Sequence, residues 1–170
     1  MSGPLQIKFL FSYPKKFRLT SWLIKTIDRA SFSHVAIEVP DTQTNQVMLF
    51  EASHGEAHWT IKDEWLKHND VKFSITLPIS WKQYILIKTM FNEWSDRTKY
   101  GFLGVLGILV AMIFKLHINI FRDKDKTLFC SEIAGYVLKE VFGLPLKRIE
   151  LLSPNDVKKI TLKAKLKGEL

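Results

Sequence analysis

Residues 33–53 read SHVAIEVPDTQTNQVMLFEAS, and their alternation restricts the fold more than any other stretch. Val35, Ile37 and Val39 take turns with His34, Ala36 and Glu38, the period of a strand buried on one face. The run PDTQTNQ supplies turn residues, and VMLFEAS follows as a second strand. The pair predicts an antiparallel hairpin with a seven-residue connection, residues 40–46. If facing residue numbers sum to an odd value near 85, His34 stands opposite Glu51 on one face of the sheet. An even sum would separate them across it.

The flanking segments supply further strands and helices. LQIKFLF and VKFSITL read as strands, TSWLIKTIDRA as a helix capped by Thr20 or Ser21, and TIKDEWLKH as a short helix. Ser80 and Gln83 form a capping-box pattern, and Tyr84, Ile87, Phe91 and Trp94 recur at helical spacing, which predicts a helix to about residue 97. A further helix starts near Cys130 and ends near Gly143 and Pro145. Ser153, Pro154 and Asp156 open one more turn or two, before a basic tail from about residue 160. We expect one α+β domain over residues 1–170, with a central antiparallel sheet.

The longest apolar run, FLGVLGILVAMIF at 102–114, is 13 residues, short of the roughly 20 needed to span a bilayer. It reads as a buried helix. The N-terminal apolar run is too short for a secretory leader, so the expected location is the cytoplasm, with release by lysis or peripheral membrane contact as further routes. One cysteine allows no internal disulfide. A net charge of +8 favours an anionic partner surface, membrane or cell-wall polymer. Nucleic acid is not expected, because Trp22, Trp81 and Trp94 fall within apolar helix patterns rather than on a stacking platform.

That cysteine is placed suggestively. Cys130, Ile133, Ala134, Val137 and Val141 share one helix face, while Glu132, Lys139 and Glu140 point elsewhere. A thiol in a first turn meets unpaired backbone N–H groups and the positive end of the helix dipole, which favour thiolate. It also suits a small buried residue, since free cysteines are among the most buried types. A cysteine hydrolase needs a base and a group to orient it. His34 and Glu51 supply both residue types.

The segments SFSHVAIEV, MLFEAS, TKYGFLGVLGI, LFCSEIAGYVL and LSPNDV, in this order, resemble the permuted NlpC-type papain-like cysteine hydrolases, whose superfamily includes YiiX-like proteins and the lecithin retinol acyltransferase group. The resemblance implies a circularly permuted papain-like fold with the sheet packed against the cysteine-bearing helix. It implies Cys130 as nucleophile, His34 as base and Glu51 as orienting partner, with His54 and His58 as rivals for the third role and Tyr100 as a substrate-binding residue. The family's Gly-Asp strand opening is replaced here by PLQIKFLFSYP, a departure that touches the substrate pocket. The implied reaction is cleavage of an amide or peptide bond, as in cell-wall-type peptides, with no cofactor. The alternatives are a membrane-associated lipid acyltransferase or thioesterase and a non-catalytic binding domain on the same scaffold. HGEAH at 54–58 invites a metal reading, but Gly55 stands where HExxH has glutamate, and no metal is expected.

Overall fold

A computed structural model describes residues 4–42, 44, 46–53, 56–97 and 128–170. Tyr100, His54 and the apolar run 102–114 lie outside the described residues. The elements, in chain order, are β1 (Gln6–Pro14), α1 (Leu19–Asp28), β2 (His34–Pro40), β3 (Val47–Ser53), β4 (Glu56–Ile61), α2 (Lys62–His68), β5 (Asn69–Pro78), α3 (Trp81–Arg97), α4 (Cys130–Tyr136) and α5 (Pro154–Leu166). The helix of α4 continues as a wider π-type turn, Val137–Val141, and a 3₁₀ turn spans Ile149–Leu151. The five strands form one sheet in the order β4-β3-β2-β1-β5. Each pairing is antiparallel. The α+β class holds.

Alternation divides the sheet into two faces. Ile7, Phe9 and Phe11 of β1, Val35, Ile37 and Val39 of β2, and Phe50 and Ala52 of β3 point into the main core. Ile87 and Phe91 of α3, Ile133, Ala134 and Val137 of the α4 region, and Val157 and Ala164 of α5 close that core from the helical side. Phe50 and Phe91 stack with centroids 4.2 Å apart. The opposite face carries a smaller cluster, Leu10, Ala36 and Leu49, covered by Trp65 of α2. His34 and Glu51 share the parity of Ala36 and Leu49, so they belong to this second face.

Several boundaries differ from the sequence reading. Helix α1 begins at Leu19, with extended Arg18 at the cap position, so neither Thr20 nor Ser21 caps it. EAHWTI, whose last two residues belong to the expected helix TIKDEWLKH, is the edge strand β4, and α2 starts only at Lys62. The capping box of α3 is present: Ser80 N–H donates to Gln83 Oε1 at 2.8 Å and Gln83 N–H to Ser80 Oγ at 3.3 Å. Ser153 and Asp156 form a second box, but α5 runs to Leu166, well beyond one or two turns. Thr161 and Ala164, inside the expected tail, are buried. Every third or fourth residue of that basic stretch is small or apolar enough to pack, which is all an amphipathic helix requires.

Two contacts fix the helices that frame the site. Asp28, at the end of α1, accepts Ser153 Oγ–H at 3.0 Å and Asn155 N–H at 3.1 Å, so it joins α1 to the N-terminus of α5. Gly135 lets α4 lie against the 3₁₀ turn: a Cβ there would meet Ile149 Cγ2 at 2.7 Å and Leu152 Cδ1 at 2.8 Å. Gly135→Ala is therefore expected to destabilise the fold by roughly 1–3 kcal/mol of overpacking, partly offset by helix propensity. Urea midpoints of the two proteins measure it.

Candidate active site

The register of the hairpin sets the site. Ile37 pairs with Phe50, Glu38 with Leu49, Val39 with Met48 and Pro40 with Val47, so facing numbers sum to 87. The sum is odd, as the shared-face reading requires, but two higher than the expected 85. His34 and Glu51 are thus diagonal neighbours on one face rather than directly opposed, a separation that long side chains bridge. His34 Nε2 lies 2.6 Å from Glu51 Oε2.

The β2–β3 ladder ends at Ile37 and Phe50, short of His34. The N-terminus of α4 meets the sheet at this opening. Cys130, packed partly against the main core, is hydrogen-bonded to the His34 imidazole and receives the backbone N–H groups of Val35 and Ser131 at its sulfur. With Nε2 held by Glu51, Nδ1 is the ring nitrogen left to face the thiol. Thiol and imidazole thus come from opposite sides of the sheet.

Burial raises the thiol's pKa, but the neighbouring imidazolium and the N–H donors outweigh it, and the net direction is down. Burial alone would depress His34; the charges of Cys130 and Glu51 overcome it and hold the imidazolium up to about 10. For Glu51, burial opposes ionisation, while His34, Trp65 and Ser53 bring it down to about 2. Each of the three shifts favours the charged form: thiolate at Cys130, imidazolium at His34 and carboxylate at Glu51.

Sequence reasoning missed much of what holds Glu51. Trp65 Nε1–H donates to Oε2 at 2.6 Å, and Ser53 Oγ–H to Oε1 at 2.8 Å. His58, directly across from Glu51 on β4, has Nε2 3.6 Å from Oε1, so it is a neighbour of the carboxylate, and Glu51 is the group bonded to His34. The signal for Trp65 was present: in a helix reading KDEWLKH, Trp65 and Leu66 are the only apolar residues, so they must face protein. Glu132 departs from the amphipathic reading, being 1 % exposed. Helix α4 packs on β2 and β3 as well as on α5 and the 3₁₀ turn, which enclose it on more than one side.

The trio opens into a cleft of about 630 Å³, walled by residues 14–24 on one side and by β3, β4 and α2 on the other. Among the described residues, no group of three or more His, Cys, Asp and Glu is arranged to hold a metal ion, and no helix is long and apolar enough to cross a membrane.

No protein-family model matches this chain, and no curated protein does. Among solved structures, it is similar to that of the metalloprotein yiiX from Escherichia coli O157:H7, DUF1105, with a TM-score of 0.57 and 16 % sequence identity over 98 % of this chain and 81 % of that one. The fold is therefore YiiX-like.

Two measurements follow. His34, held above its ordinary 6.5, contributes stability that is fully present below that pH and lost as pH rises through about 10. Glu51 contributes stability present above 4.5 and lost as pH falls towards about 2. Nitrogen NMR of His34 should show imidazolium persisting above pH 8, and in Cys130→Ala, which removes a raising charge, deprotonation at lower pH. Trp65→Phe deletes one donor to a buried carboxylate and should lower stability by about 1–3 kcal/mol in urea unfolding.

Proposed function

We propose that the chain is a cysteine hydrolase of permuted papain-like design that cleaves an amide or peptide bond through a thioester. The observation that carries this reading is the row Cys130–His34–Glu51, hydrogen-bonded and opening into one cleft.

In the proposed cycle the Cys130 thiolate attacks the carbonyl carbon, and the developing oxyanion is met by backbone N–H groups of the first turn of α4. Ile133 N–H bonds to Phe129 O, closing the first turn of the helix, and the N–H groups of that turn point towards its N-terminal end. The C–N bond breaks as the His34 imidazolium gives its proton to the leaving amine. Water then attacks the thioester, His34 takes the water's proton, and the carboxylic acid leaves as the C–S bond breaks. Glu51, with Trp65 and Ser53 behind it, fixes the ring orientation throughout.

The structural neighbour is described as a metalloprotein. The donor set here does not fit that role: Glu51 is committed to His34, Trp65 and Ser53, and the described residues offer no third converging ligand. For substrate, the resemblance favours cell-wall-type peptides; Tyr100, expected to touch substrate, lies outside the described residues.

The test is the pH dependence of Cys130 alkylation. The native rate should reach half its maximum well below the ordinary thiol value of about 8.5, and His34→Ala should move the midpoint upward. Incubation with wall-type peptides should leave an acyl mass on Cys130, and Cys130→Ala should lower turnover by roughly 10³-fold or more. Ordinary thiol behaviour in both proteins, with no acyl adduct, would sink the hydrolase reading.

A further inference from the structure

The segment between β1 and the middle of α1 has two unlike sides. Lys16, Arg18, Ser21 and Ile24 line the cleft. Between them, Phe17, Leu19 and Trp22 project outward and are 73 %, 61 % and 46 % exposed, among the largest apolar exposures of the described residues. Leu19 and Trp22 are three apart on α1 and lie on one side of it, while Leu23, Ile24 and Ile27 pack against Phe129. The helix thus has one apolar face packed on Phe129 and a second that stays exposed among the described residues.

Charge decides what would cover that second face. Lys15, Lys16, Arg18 and Lys25 flank its residues along the chain, and no acidic residue occurs from Pro14 to Ile27. Lys15 Nζ–H donates to the Leu66 carbonyl at 2.7 Å, with Asp70 within electrostatic reach, and Lys25 lies over the Tyr13 ring at 4.8 Å. The first carboxylate, Asp28, is engaged with Ser153 and Asn155. Aromatic and aliphatic side chains projecting from a short helix, in a stretch that carries four cations and no acidic residue, match the headgroup and acyl boundary of an anionic bilayer, where lysine stems lie along apolar matter while their heads reach phosphate.

We propose that residues 15–25 form a docking lip that seats on an anionic lipid surface, with Phe17, Leu19 and Trp22 entering the boundary and Lys15, Lys16, Arg18 and Lys25 meeting headgroups. Because the same segment walls the cleft, docking holds the cleft mouth at the membrane. On the hydrolase reading, the bonds it cuts are those carried at that surface. Docking itself does not depend on catalysis.

Flotation with vesicles of phosphatidylcholine, alone or mixed with phosphatidylglycerol, tests this. The full chain should float with the mixed vesicles, and the bound fraction should fall with added salt. The triple variant Phe17→Ser, Leu19→Ser, Trp22→Ser should bind at least about tenfold more weakly, with its melting temperature and its Cys130 alkylation curve unchanged. Lys16→Gln with Arg18→Gln should weaken binding and flatten the salt dependence. If the triple variant does not fold, Phe17→Ser alone carries the test, with a loss of about threefold or more expected. Cys130→Ala should float like the parent, which separates this proposal from the hydrolase reading. Absence of flotation by the parent, or equal flotation by the serine variants, overturns the lip.

Discussion

The Glu51 carboxylate is a charge placed beneath a sheet, and the rest of the site is arranged around keeping it there. A buried carboxylate without partners is costly by several kcal/mol. Here three donors from three elements converge on its two oxygens: the imidazole of β2, the indole of α2 and the hydroxyl of β3 itself. Each donor constrains its own backbone. The hairpin must keep an odd register, α2 must turn Trp65 inward, and β3 must extend through Ser53.

What the sequence discloses is what local periodicity controls. Alternation in SHVAIEV and VMLFEAS located both strands and the shared face of His34 and Glu51, since side-chain direction follows from counting. The offset of two in register escaped it, because a seven-residue connection does not dictate which residues pair. Strand β4 was overlooked although Ala57, Trp59 and Ile61 alternate with Glu56, His58 and Thr60. Two histidines four apart drew attention to a motif instead of to the period beneath it. Trp65 is a harder case: an apolar residue in a short helix says that it is covered, but its indole N–H finds Glu51 only through tertiary placement.

The opening between β2 and β3 serves two purposes. A fully zipped hairpin would pair the backbone of His34–Ala36 with β3 and leave no path from the helical face to the second face. Ending the ladder at Ile37 and Phe50 lets Cys130 approach the imidazole from the far side, and it turns Val35 N–H into a donor for sulfur. Apolar packing holds the helix of Cys130 on one side; a polar network holds His34 on the other. Changes in core volume and changes in the network therefore reach the thiol and the imidazole by separate routes.

The link from Asp28 to Ser153 and Asn155 spans 125 and 127 positions of sequence. One wall of the cleft, laid down early in α1, is thereby secured by a helix far downstream of it. On a ribosome this order has a temporal meaning: hairpin, α2 and α3 leave the exit tunnel long before the clasp for α1 exists. The wall that α1 gives the cleft then waits for its clasp until Ser153 and Asn155 have been made.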